Sequence, residues 1–124
     1  MNTVVNLKEK LAKLNEHWSP RVVGEFDGNY AKIAKLKGTF TWHKHDDEDE
    51  LFLVISGTLV IEIENHPSVT LNEGELYIVP KGVMHNPIAE KECHVLVIEK
   101  KSTQHTGDTK IEKTRSIEDQ LKPI

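Results

Sequence analysis

The sequence has a single cysteine, Cys93, so no disulfide can form within the chain. Beside an apolar stretch, that thiol reads as a buried small hydrophobe and not as a nucleophile. Aromatic residues make up only 6% of the chain and do not interleave with cations, and no basic stripe is present. Both absences argue against a nucleic-acid surface. No apolar run approaches the roughly 18 residues of a membrane helix, and the N-terminus does not read as a secretion signal. The expected location is the cytoplasm, the compartment that suits an unpaired thiol. Arginine is also scarce, limited to Arg21 and Arg115. Planar, bidentate recognition of phosphate or carboxylate favours arginine, so a site built for phosphosugars is disfavoured. Lys32 and Lys35 are the cations left for such a role.

What is present fits one domain of 124 residues, long enough to bury a core without staples. Its 37% hydrophobic and 29% charged content and net charge of −4 are those of an ordinary water-facing fold. Asn6 with Glu9 three residues on marks a helix start. Leu7, Leu11, Leu14 and Trp18 then recur on one helical face until Ser19-Pro20 ends it. From Arg21 the signals are those of strands: Arg21–Phe26, Tyr30–Leu36, Gly38–His45, Leu51–Ile55, Thr58–Glu64, Val69–Leu71, Leu76–Val79 and His94–Glu99, separated by Gly, Asn and Pro turns. Many short strands without a helical period between them predict an all-β sandwich or barrel. After Ile98 the chain turns polar, and Ser116 with Asp119 permits one short helix near the end. The expected organisation is an N-terminal helix over 1–20, packed on the barrel or on a partner subunit, a β domain over 21–107, and a polar tail over 108–124.

The chemistry gathers between Gly38 and His85. His43 and His45 are separated by one residue, so in a strand their rings share a face. Glu50 follows a run of acids, Asp46 to Asp49, and opens an apolar strand on the same face as Phe52 and Val54. A carboxylate at the end of such a face needs a partner. His85 follows a Gly- and Pro-marked turn. Three imidazoles and a carboxylate suit a first-row divalent metal better than calcium or magnesium.

Gly38-x4-His43-x-His45-x4-Glu50-x6-Gly57 resembles the first motif of the cupin family, and Gly74-x5-Pro80-x-Gly82-x2-His85 resembles the second. The second motif's final Asn is missing: Ala89 stands at its position, and Asn86 is the nearest asparagine. The resemblance covers Gly38 to Ile98 and implies a small jelly roll, or double-stranded β-helix, with one metal pocket. His43, His45, Glu50 and His85 are the implied ligands of one divalent ion: iron, manganese, nickel or zinc. Thr41, Phe52, Val54, His94 and Leu96 are expected to line a substrate pocket, while His17, His66 and His105 are expected to be exposed. With Leu51, Leu53, Ile55 and Trp42 turned outward, a homodimer is expected. Three functions follow: a metal-dependent dioxygenase acting on a small chelating organic molecule, a metal- or ligand-binding module without turnover, or a sugar (phosphate) isomerase.

Overall fold

The computed structural model describes residues 3–107 and 109–124; Asp108, where the polar tail is expected to begin, lies outside them. The elements in order are α1 (Leu7–Ala12), β1 (Arg21–Phe26), β2 (Asn29–Thr39), β3 (Glu50–Ser56), β4 (Leu59–Ile63), β5 (His66–Leu71), β6 (Leu76–Val79), β7 (His85–Lys100) and α2 (Ile117–Gln120). These strands pair with one another antiparallel throughout, as turn-connected strands allow. The fold is all-β.

Strand β7 is the spine. Its first residues pair with β4, in register Ile63↔His85 to Val60↔Ile88. Its remainder runs between β2 and β3, giving the strand order β1-β2-β7-β3-β6. One strand thus joins β2, β3 and β4, with His85 as its first residue, at the β4 end. Inside, Phe52 and Val54 meet Leu59, Ile61, Ile63, Val79 and Val95 in one buried cluster. Gly57 turns β3 into β4 with φ of 88°, where a Cβ would sit 2.9 Å from the Glu92 carbonyl.

Helix α1 is shorter than the apolar spacing predicts. Asn6 caps it, accepting from the Glu9 N–H at 3.0 Å, and it ends at Ala12. Leu11 and Leu14 cover the outer face of the sheet with Ile33 and Leu96. Trp18 leaves that face: with φ of 57° it turns into the barrel and stacks on Phe40, centroids 4.5 Å apart. Its indole N–H donates to the Lys37 carbonyl at 2.8 Å. A tryptophan satisfied at both its ring and its N–H outweighs the local cost of a left-handed residue.

The expected strand Gly38–His45 is a second correction. Strand β2 runs through Gly38 and stops at Thr39, and His43 keeps only a bridge to His85. After β7 the chain packs back across the barrel, burying Thr103, His105, Thr106 and Gln120. No helix among the described residues is long and apolar enough to cross a membrane.

Candidate metal centre

His43 and His85 face each other across that bridge. Each backbone N–H donates to the other's carbonyl at 2.9 Å, which fixes the two Cα positions without help from a side chain. The rings are aimed by the backbone too. His43 Nδ1 lies 2.9 Å from the Thr41 carbonyl and His85 Nδ1 lies 2.9 Å from the Val83 carbonyl. A carbonyl only accepts, so both Nδ1 atoms carry the hydrogen and both Nε2 lone pairs are left for a ligand. This is the arrangement by which metal-binding histidines are oriented.

Glu50, the first residue of β3, brings its carboxylate between the rings: Oε1 is 3.4 Å from His85 Nε2 and Oε2 is 3.5 Å from His45 Nε2. All four side chains are buried, and their ligand atoms lie within 4.8 Å of one another. His45 Nε2 is buried without a hydrogen-bond partner. An orphaned imidazole nitrogen beside two others and a carboxylate is the donor set a divalent transition metal completes. The residues fit such an ion.

Electrostatics in the protein alone point the same way. Burial, then the neighbouring His85, push His43 down to about 4, so it stays neutral. Burial also disfavours the charged form of His45, but the Glu50 carboxylate 3.5 Å from its Nε2 outweighs it and raises that group. Glu50 is held well below the usual carboxylate range because His45 and His85 overcome its burial. The Glu50 carboxylate and the neutral His43 imidazole are in the form that ligates, and His45 would have to be deprotonated to join them on a metal.

A cavity of about 50 Å³ opens beside the cluster, enough for a few waters. Its walls are Trp18, Ala34, Leu36, Phe40, Phe52, Pro87, Val95 and Val97, with His43, Glu50, Lys32, Glu99 and His105 supplying polar groups. Of the expected lining residues, Phe52 is in the wall. Val54 points the same way but is sealed in the core. Thr41, His94 and Leu96 are elsewhere. Thr41 sits where the chain has left β2 and period-two alternation has lapsed, and it contributes its carbonyl. On β7 the inward residues are Val95, Val97 and Glu99, while Leu96 packs outward under α1 and His94 pairs with Glu92 at 3.2 Å. Both faces of β7 are apolar because α1 covers the outer one, so alternation alone did not choose between them.

Sequence reasoning missed His105, Lys32 and Glu99. His105 is buried in the cavity wall, its Nε2 accepting from the Arg115 backbone N–H at 2.7 Å. Burial and the charge of Lys32 push it down to about 3. Lys32 and Glu99 form an ion pair of 2.8 Å with each side chain 1% exposed. Burial and the charge of Glu50 raise Glu99 well above the carboxylate range. Two positions on one face of neighbouring strands, Lys32 diagonal to Glu99 across the Lys32↔Val97 register, are the signal that was there to find. His17 and His66 are at the surface as expected.

The family model described as a cupin domain matches residues 30–99, more than half of the chain. A crystal structure of a cupin-2 domain protein from Shewanella frigidimarina superposes with a TM-score of 0.76 at 44% identity, covering 78% of this chain and 94% of that one. The Bacillus subtilis protein YdbB is 28% identical over 85 residues, 68% of this chain and 75% of its own. A 3-hydroxyanthranilate 3,4-dioxygenase of Aspergillus fumigatus is 29% identical over 92 residues; that match takes in 70% of this chain but only about half (49%) of the dioxygenase.

Proposed function

This chain belongs to the cupin domain family, and from that membership we propose that it binds one divalent transition metal through His43, His45, Glu50 and His85. The same reading places a small organic molecule in the cavity beside the metal, bound to it through an oxygen. The carrying observation is the buried set of four donors within 4.8 Å, two with their Nδ1–H groups tied to backbone carbonyls. Iron(II), manganese, nickel and zinc all suit that set. Such an ion supplies Lewis acidity and, when redox-active, a place for dioxygen.

The protein's own part is binding and exclusion of water. Trp18, Phe40, Phe52 and Val97 offer burial to a short chain and no charge to a phosphate. A dioxygenase is the favoured activity, supported by the partial match to a curated dioxygenase; ligand binding without turnover is the alternative. The isomerase reading is weaker. Lys32 is held by Glu99, and Lys35 donates to the Leu14 carbonyl at 2.8 Å. Arg115 pairs with Glu16, and Arg21 lies outside the cavity.

The test is elemental analysis of protein purified without a metal-affinity tag. About one metal per chain is expected, lost in His45→Ala and His85→Ala and kept in His66→Ala. Equal occupancy in all three variants rejects the site. Oxygen uptake by iron-loaded protein, screened with small enols, phenols and keto acids against sugar phosphates, then separates dioxygenase from binding module.

A further inference from the structure

Three ring N–H groups stand in the wall of the cavity, on Trp18, His43 and His105. Two are committed. Trp18 Nε1–H donates to the Lys37 carbonyl at 2.8 Å, and His43 Nδ1–H to the Thr41 carbonyl at 2.9 Å. The third is fixed in kind by its surroundings. His105 Nε2 accepts from the Arg115 backbone N–H at 2.7 Å, and the Arg115 carbonyl in turn accepts from Gln120 Nε2 at 2.9 Å. A ring nitrogen that accepts from an N–H carries no hydrogen, so the imidazole is neutral and its hydrogen is on Nδ1. Among the described residues, the bond to Arg115 is the one hydrogen bond His105 makes, and Nδ1–H has no acceptor. Buried donors are nearly always paired, so a ligand or a water supplies one. Phe40 packs on both imidazoles, its centroid 5.4 Å from His43 and 5.6 Å from His105. In a chamber with room for only a few waters, whose wall also holds His43 and Glu50, a ligand at the metal is within a few atoms of His105.

We propose that His105 is a ligand-binding residue, its Nδ1–H donating to an acceptor atom of a small molecule held at the metal in this cavity. A neutral donor of fixed tautomer suits an oxygen or nitrogen lone pair, rejects an amine N–H, and adds no charge to a closed site. What fits the chamber as it stands is a few non-hydrogen atoms. The ligand class is thereby narrowed to a small acceptor with one atom for the metal and another, one or two bonds away, for His105. The assignment rests on the reading of His43, His45, Glu50 and His85 as a metal site with its ligand in the cavity.

The experiment titrates cobalt(II)-loaded protein with sodium azide, followed through the visible bands of the cobalt, which shift when an anion joins the ion. Azide is short and linear: one end takes the metal and the far end stays free to accept. Two amides divide the two roles of the ring by bond count. Asn carries its amide nitrogen on Cγ, where His carries Nδ1; Gln carries its amide oxygen one carbon further out, where His carries Nε2. So His105→Asn keeps the donor and loses the tie to Arg115, while His105→Gln keeps the tie and loses the donor. Both are expected to hold about one cobalt per chain. His105→Asn is expected to bind azide much as wild type does, and His105→Gln about tenfold more weakly, the scale of a hydrogen bond to a charged acceptor. The reverse order, with Gln like wild type and Asn weak, shows a purely structural histidine and overturns the assignment. Equal affinity in all three also overturns it and leaves water as the partner of Nδ1. If either variant fails to fold, or both bind weakly, zinc-loaded wild type labelled with ¹⁵N in its histidines decides: azide is expected to shift the His105 Nδ1–H resonance, and an unmoved resonance overturns the assignment. Cobalt bound without azide overturns it together with the ligand reading. Failure to bind cobalt overturns the metal reading beneath both.

Discussion

Burial holds the His105 imidazole neutral down to about pH 3, well below the ordinary value of 6.5. The unfolded chain takes up a proton there as pH falls through 6.5, and the folded chain does not. Stability from this group is therefore present at neutral pH and lost as pH falls from 6.5 towards 3. His43, held down to about 4, acts in the same direction; His45, raised, opposes both. The His105 contribution is on the order of a few kcal/mol. Urea unfolding of metal-free protein at pH 7 and pH 4 is expected to show a smaller pH effect in His105→Phe than in wild type. An unchanged difference refutes this. The clustering of His43, His45, Glu50 and His85 could be read from the sequence because a metal site needs particular atoms at particular spacings. His105 could not, since nothing in its polar surroundings reports that the chain folds back over the barrel. Glu99 and Lys32 were obscured because each charge alone reads as surface, and only the fold shows them meeting.

The segment following β7 is held at a close approach of two backbones. Gly107 has φ of 61°, and a Cβ there would run into the Lys44 carbonyl, between the two histidines of the first motif. Lys113 Nζ donates to the Thr39 carbonyl at 2.7 Å, and Thr103 donates to Glu48 at 2.7 Å, so the segment is tied at both ends. Gly107→Ala is expected to destabilise the fold by about 1–3 kcal/mol. Hydrogen exchange is expected to quicken in residues 101–116 and at His43–His45 while the β4–β5 hairpin stays protected. Uniform exchange across all these elements counts against a local effect. Most strands were legible because Gly57, Gly74 and Gly82 punctuate them at turns. Helix α1 was overextended because Trp18 continues the helical period in sequence while answering to the barrel interior in space. The packing of the last segment lacked any periodic pattern to announce it.

On the surface of the whole molecule, Leu76 and Ile78 of edge strand β6 are 58% and 48% exposed. They lie opposite Leu53 and Leu51 on β3, both half-buried. Helix α1 covers Ile55 and Leu96 but not this corner. An apolar patch on an unpaired strand edge favours association, and a homodimer is the expected state. Light scattering is expected to give twice the chain mass for wild type and the chain mass for Leu76→Glu with Ile78→Lys; a monomeric wild type removes the dimer. The reciprocal backbone bonds between His43 and His85 carry a consequence for handling the protein. A slip of one residue there would turn an imidazole out of the site and its neighbours with it. Under the proposed metal binding, molecules in which that bridge has slipped would lose a ligand while keeping their β-sheet signal by circular dichroism, so metal uptake on adding back excess metal would report how much of a preparation has the native pairing.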